Sequence, residues 1–403
     1  MAKVLHIVNR LNLGGITYNA ASIAAGLRPE YDTMIVAGMK DDSEESSEFM
    51  VRELGLEPVF IPDMYREINL KADYKAYRQL LRLIRAFKPD IVHTHAAKAG
   101  LLGRLAARRA GVPVILHTFH GHVFHSYFGK AKTRFFLETE RFLARLSTGI
   151  IAISETQKKE LCETYKVCDC SKIHVVELGY DLEPFLLDME SKRKQFRERF
   201  SIGDDTLAVG IIGRIVPIKN LRFFIDAWIP LHEKFGQKIK AFLVGDGEQR
   251  FEIQEYCISK GLKISTPEKT DPEASVVFTS WIYPVDRVMA GIDLVALCSL
   301  NEGTPASLIE AQAAGKPIVS TEVGGISNIV LPGKTALLCP SGDTAKFREA
   351  LEKLINDAAL RQNMQAEGPG FAVSRFHYKR LTSDIRGLYA RLLNIKRPVQ
   401  GQQ

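Results

Sequence analysis

Six cysteines in 403 residues cannot supply the dense disulfide framework of a small secreted fold. Cys162, Cys168 and Cys170 lie close together but at no recognised zinc spacing, so free thiols are expected, in keeping with a reducing cytoplasm. Long uncharged apolar runs are also missing. Residues 110–129 lack Asp, Glu, Lys and Arg, but they carry His117, His120, His122 and His125, a proline and three glycines, which excludes a spanning helix. The opening "MAKVLHIVNRLNLGG" has too short an apolar run for a signal peptide and reads as a first strand. There is no low-complexity tract, no short-period repeat and no nucleic-acid motif, so nucleic acid is not an expected partner.

What is present is an ordinary globular composition, 46% hydrophobic and 25% charged, in a chain too long for one core. The net charge of +7 is unevenly spread. Residues 66–88 carry seven basic and two acidic side chains, and residues 95–146 carry nine and two. These segments fit solvated helix faces, or attraction to an anionic membrane surface.

Short apolar runs alternate with helical periods from "KVLHIV" to "IHVVELG", and the pattern restarts at "LAVGIIGRI". The fold class is therefore α/β, with two Rossmann-like doubly wound parallel sheets in series. The domains are expected at 1–182 and 183–375, and a final amphipathic helix near 376–396 is expected to return to the first. The segments "YDLEPF" and "ESKRKQFRERF" read as the connector. Ligands in such sheets sit beyond the carboxyl ends of the strands, and two facing domains place the main site in a central cleft.

In "NEGTPASLIEAQAAGKPIVS", Glu302 precedes a helix start and Glu310 lies about one and a half turns inside it. Thr304 is the expected N-cap, Pro305 the first helical residue and Gly315 the terminator. A helix N-terminus favours a phosphate, and flanking carboxylates suit sugar hydroxyls. Spacing alone equally fits two unrelated glutamates. In "GIIGRIVPIKN", Arg214 and Lys219 follow a strand end and suit a diphosphate, or are merely exposed loop cations. Four histidines alternate through "LHTFHGHVFH"; with no nearby Asp, Glu or Cys, a hydrogen-bonding role is preferred to zinc, and His120 sits best, just past a strand. Gly14 and Gly15 permit close backbone approach to a ligand or simply make a tight turn; they do not form the G-x-G-x-x-G fingerprint.

Together, Glu302-x7-Glu310, "GRIVPIKN", "LVGDGEQR", Gly14-Gly15 and "KAGLLGRLAARRAGVPVILHTFHGHVFHSYF" resemble glycosyltransferase family 4. These are retaining sugar-nucleotide transferases of GT-B architecture, here nearest to bacterial members that build surface polysaccharides or glycolipids. The resemblance extends over nearly the whole chain. It implies that Arg214 and Lys219 bind the donor diphosphate, Glu310 the ribose, and Glu302 the donor sugar. The backbone of Gly303, Thr304, Pro305 and Ala306 would take sugar and phosphate. His120 would contact the sugar near the reacting centre, Gly14 and Gly15 would line the phosphate, and the backbone at Ile282 would meet the base.

It further implies a UDP-sugar co-substrate and a saccharide or lipid-linked acceptor. The protein would work in the cytoplasm, peripheral to the inner face of the membrane. With no Asp-x-Asp in the chain, no metal and no other cofactor is expected. Ser126, Ser280 and Asn328 depart from residues common in relatives. A sugar-nucleotide epimerase, a phosphorylase or a non-catalytic assembly partner on the same fold are the alternatives.

Overall fold

The computed structural model describes residues 1–12, 15–40, 46–65, 67–121 and 130–396, the side chains of 130–132 and 396 excepted. Seven strands form the first sheet: β1 (Ala2–Val8), β2 (Tyr31–Gly38), β3 (Val59–Ile61), β4 (Ile91–His95), β5 (Val114–Phe119), β6 (Gly149–Ala152) and β7 (Ile173–Val175). Seven more form the second: β8 (Leu207–Ile212), β9 (Ile239–Val244), β10 (Ile264–Ser265), β11 (Val276–Ser280), β12 (Leu294–Leu297), β13 (Ile318–Thr321) and β14 (Ala336–Cys339). Every strand pairing is parallel. That is why β4, β5, β6 and β9 are buried at every position, and β1 over its last five, rather than alternately.

The spatial orders are β3-β2-β1-β4-β5-β6-β7 and β10-β11-β9-β8-β12-β13-β14. In the first sheet the chain winds outward from β1 to β3 and then restarts at β4 on the other side of β1; in the second, β11 is inserted between β9 and β10 before the chain restarts at β12 on the other side of β8. The direction changes between β1 and β4, and again between β8 and β12. Ligands of doubly wound sheets bind at such points.

The chain divides into two compact units, Met1–Tyr180 with Phe376–Gln403, and Asp181–Arg375. In the first unit, helix Leu70–Phe87 starts four residues before the amphipathic pattern at Tyr74, because the Asn69 side chain accepts from the amides of Lys71 and Ala72. It buries Ala76, Leu80 and Ile84, one face at four-residue spacing. Helix Tyr378–Lys396 buries Leu381, Ile385, Leu388, Tyr389 and Leu392 against Val4 and Ile23. Among the described residues no helix is long and apolar enough to cross a membrane.

Two expectations need correction. Residues 189–199 are no loose connector. Helix Met189–Arg199 is fixed to the second unit because Asp293 takes Arg193 at 2.7 Å, Arg197 at 3.2 Å and the Ala208 amide at 2.8 Å. The cysteines are not all free, since Cys162 is disulfide-bonded to Cys170. A π-helical turn at Glu160–Thr164 and a 3-10 turn at Cys170–Lys172 bring their Cα atoms to 5.2 Å, within bonding reach. Sequence spacing does not reveal such local widening of a helix.

Helices Ala97–Ala110 and Lys130–Leu146 are tied by Arg104, fully buried, whose Nη2 meets Glu140 Oε2 at 2.7 Å. Removing the carboxylate strands a buried guanidinium. Glu140→Ala should destabilise the first unit by about 3–5 kcal/mol, read as a lowered first transition in calorimetry. Loss of no more than a surface pair's worth, under about 1 kcal/mol, would contradict the burial.

Candidate active site

Within the second unit, the loops after β8 and β12 meet at the direction change. The β8 loop runs from Gly213 into a 3-10 turn, Pro217–Lys219, that aims Lys219. Its backbone is stitched to the β9 loop by Gly213 N–H donating to the Val244 carbonyl at 2.9 Å and Ile215 N–H to the Asp246 carbonyl at 2.9 Å. This contact requires glycine. A Cβ on Gly245 would stand 2.0 Å from the Gly213 carbonyl oxygen, and one on Gly247 would stand 2.4 Å from that of Ile215.

The β12 loop is braced in the same manner. Gly325 N–H donates to the Glu302 carbonyl at 2.9 Å. Gly324 has φ +54°, and a Cβ there would lie 1.9 Å from the same oxygen. Leu300 N–H reaches the Ile218 carbonyl at 2.8 Å, so the two loops are bonded to each other directly. Lys219 Nζ and Glu302 Oε1 then meet at 2.6 Å, and the Ser299 hydroxyl donates to that oxygen at 2.6 Å. Both charged side chains are more than four-fifths buried. Gly303 faces open space: a Cβ on it would have nothing within 4 Å. Arg214 is exposed on the same loop as Lys219.

The helix spans Ala306–Ala313, one residue later than anticipated. Pro305, not Thr304, is the N-cap, and no side chain caps this end. The reason is the extended ψ of 112° at Pro305, which delays helical geometry to Ala306. Pro305 has no N–H, so it shapes the turn and donates nothing. The amides that follow are left without a side-chain cap, the kind of helix end that suits an anion. Gly315, at φ +63°, closes the other end.

Two polar side chains of this helix contrast. Gln312 is buried and satisfied by the carbonyls of Leu308 and Ile329 and by the Thr335 hydroxyl. Glu310 is partly buried and has no side-chain hydrogen bond or ion pair among the described residues. Burial pushes its carboxyl up from 4.5 to about 7. A ligand bringing hydroxyl donors would relieve that desolvation.

Ile282 follows β11, partly buried, between half-exposed Trp281 and exposed Tyr283. Ser280 occupies φ +55°, a conformation suited to glycine, and its hydroxyl donates to Asp246 Oδ2 at 3.0 Å.

In the first unit, His120 is the residue after β5, where its Nε2 faces His95 Nδ1 at 3.0 Å. Burial lowers His120 to about 4, so it is neutral at physiological pH. Gly15 opens helix Gly15–Gly26 after β1. Gly14, His122, His125 and Ser126 lie outside the described residues.

The structure thus joins Lys219 to Glu302 directly, and places Gly303–Ala306 and Glu310 on one continuous loop and helix. Arg214 and Ile282 sit on other strand-end loops and make no side-chain hydrogen bond or ion pair with Lys219 or Glu302 among the described residues, although Arg214 and Lys219 line one small cavity. The sequence reading assigned no role to Ser299, Gly245, Gly247, Gly324 or Gly325. It also overlooked His6, His93 and His95, three buried rings below His120. The "VHTH" alternation on β4 was the available signal, since it puts His93 and His95 on one face.

Comparison with known proteins supplies two family models: Glycosyltransferase Family 4 over residues 13–184, and Glycosyl transferases group 1 over residues 206–357. Among curated relatives, the Escherichia coli UDP-Gal:alpha-D-GlcNAc-diphosphoundecaprenol alpha-1,3-galactosyltransferase is 29% identical, covering 82% of either chain. The Staphylococcus aureus capsular polysaccharide biosynthesis glycosyltransferase CapM is 27% identical over 81% of this chain and 83% of its own. Among solved structures, Anabaena HepE in complex with UDP superposes with a TM-score of 0.79 at 18% identity, covering 96% of this chain and all of HepE. That likeness speaks to the fold.

The raised Glu310 carboxyl has a pH signature. The folded state binds its proton more tightly than the unfolded state, so stability falls as pH rises from the ordinary carboxylate value, 4.5, through about 7. Above that the full penalty is felt, about 3 kcal/mol at ~1.4 kcal/mol per pKa unit. Glu310→Gln should therefore raise the melting temperature of the ligand-free protein at pH 8 and leave it nearly unchanged at pH 4.5. Equal effects at both values would refute the desolvated carboxyl.

Proposed function

The chain belongs to the GT-B glycosyltransferases of family 4, and from that premise we propose that it is a retaining enzyme using a UDP-sugar. The acceptor would be a hydroxyl of a lipid-linked saccharide or surface-polysaccharide precursor. The observation that carries the reading is the Lys219–Glu302 pair at the direction change of the second sheet, beside an uncapped helix end and the unpartnered Glu310. UDP is favoured because HepE was solved with UDP and with UDP-glucose, and because the E. coli relative is named for UDP-Gal. The same relative's diphosphoundecaprenol acceptor favours a lipid-linked one here.

In this reading the donor diphosphate lies against Lys219, Arg214 and the amides at Ala306. Cleavage of the glycosidic bond leaves negative charge on the diphosphate, and these fixed positive groups meet it as it develops. Lys219 keeps its Glu302 contact on one side while serving phosphate on the other. Glu302 and the Gly303–Pro305 turn hold sugar hydroxyls, with Gly303 leaving the space. Glu310 accepts from the ribose hydroxyls. Ile282 offers backbone to the base. In the first unit, His120 is read as a hydrogen-bonding contact for a sugar. No protein nucleophile is evident among these residues. A front-side displacement, with the donor phosphate taking the acceptor proton, accounts for retention. The residues assigned here need neither a metal nor another cofactor.

A membrane-surface role for the first unit has its own support. Helices Leu70–Phe87, Ala97–Ala110 and Lys130–Leu146 form a groove of about 630 Å³ lined by Tyr74, Tyr77, Leu102, Leu105 and Phe142, with Arg108 and Arg109 beside them. Tyr74 is 60% exposed, Phe142 50% and Phe135 65%. Aromatics among exposed arginines suit the interface of an anionic bilayer, where each basic side chain contributes about 1 kcal/mol. We place the protein at the inner face of the cytoplasmic membrane on this basis.

Lys219→Ala and Glu310→Ala should each lower sugar transfer from UDP-sugar by about 10²–10³, with the folded state retained by circular dichroism. UDP should raise the melting temperature equally with and without EDTA. Full activity in both variants would remove the site assignment. Arg108→Glu/Arg109→Glu should release the protein from phosphatidylglycerol vesicles at low salt; unchanged sedimentation with vesicles would dismiss the membrane surface.

A further inference from the structure

Beneath His120 the buried histidines form a hydrogen-bonded chain. His6 Nδ1 lies 3.4 Å from His95 Nε2, and His95 Nδ1 lies 3.0 Å from His120 Nε2. Strand register sets this up. β1 and β4 pair His6 directly with His93, and His95 follows two residues on, facing the same way. His120 leaves the end of the adjoining strand, β5. Burial holds all three rings well below the ordinary imidazole range, so each carries one proton at neutral pH.

Three singly protonated imidazoles in a row have two possible polarities. In one, His6 Nδ1–H donates to His95 Nε2 and His95 Nδ1–H donates to His120 Nε2; His6 Nε2 is then a bare lone pair. In the other, the protons run the opposite way and His6 Nε2 carries an N–H. His6 Nε2 is buried and has no hydrogen-bond partner among the described residues. Buried N–H groups without acceptors are rarer than under-used acceptors, so the first polarity is favoured.

We propose that His6 and His95 are positioning residues that fix His120 as its Nδ1–H tautomer, so that His120 presents a hydrogen-bond donor to an oxygen of a bound sugar. This rests on the reading of His120 as a sugar-contacting group. It deepens that reading by giving His120 a donor's role and excluding a base's. The selected partner is a sugar oxygen, a hydroxyl or ring oxygen that accepts. No proton is transferred.

His93 braces the chain from the side. Its Nε2 is 2.6 Å from the Thr118 hydroxyl and its Nδ1 is 2.7 Å from the Tyr389 hydroxyl, with its ring centroid 4.2 Å from that of His95. Both nitrogens are therefore engaged. A metal ion shared by His6, His93 and His95 would have to break one of these bonds.

The test is ring-nitrogen NMR of the full chain with labelled histidine. His120 should show Nδ1 protonated and Nε2 bare. His95→Asn should preserve this, because the Asn side-chain amide stands where Nδ1 stood and still donates. His95→Leu and His6→Phe should move His120 toward the Nε2–H form. In transfer assays, His95→Leu should lose about tenfold in kcat/KM, the worth of one hydrogen bond, and His95→Asn should recover most of it. An Nε2–H tautomer of His120 in the unsubstituted protein, or one indifferent to His95→Leu, would overturn the proposal. So would added zinc shifting the nitrogens of His6, His93 and His95 together. If the tautomer holds but His120→Ala transfers sugar normally, the sugar-contact reading fails and the donor role falls with it, while the second unit's site stands.

Discussion

Close approach of backbone to backbone is the constraint on which the candidate site depends. Gly245 and Gly247 lie against the β8 loop, and Gly324 and Gly325 lie against the β12 loop, at distances no Cβ tolerates. With both loops held, Lys219 and Glu302 face each other at 2.6 Å although 83 residues separate them. The pair is a consequence of that bracing. In an unconstrained loop, holding two long side chains in one geometry would consume most of the Coulomb gain. Here both side chains are more than four-fifths buried on fixed loops, so packing already restricts the rotamers that pairing would otherwise have to freeze.

The second theme is polarity kept out of water without full compensation. Glu310 sits on the same helix as Gln312, yet only Gln312 has its hydrogen bonds met inside the protein. A raised carboxyl beside a free helix end is a local instability that a hydroxyl-rich, phosphate-bearing ligand would relieve. The histidines of the first unit solve the opposite problem. Burial keeps them neutral, and neutral rings can chain through one another without importing charge. The candidate site groups of the second unit are thus charged, whereas the linked histidines of the first are uncharged donors and acceptors, on sheets wound in closely similar order.

The amphipathic helices of the first unit add a further layer. Leu70–Phe87 buries Ala76, Leu80 and Ile84 to hold the sheet, while Tyr74, Arg78, Arg82 and Arg85 remain outside. The face that packs and the face left exposed are set by one 3.6-residue period, so stability and any surface attachment are specified by separate positions of one helix.

By itself the sequence determined the alternation of strand and helix, because apolar runs of four to eight residues between helical periods have few other readings. It also singled out Arg214 and Lys219 as cations suited to a diphosphate, and Glu302 and Glu310 as carboxylates suited to sugar hydroxyls. It misplaced the helix start at Thr304, since a proline's ψ is not written in its neighbours, and it missed the Cys162–Cys170 bond, which depends on a local widening of the helix. Only tertiary structure decided that Lys219 pairs with Glu302, that Glu310 is left without a partner while Gln312 is not, and that His6, His95 and His120 touch. Each of those facts depends on strand order and register, which bring together residues far apart in the chain and which no local pattern encodes.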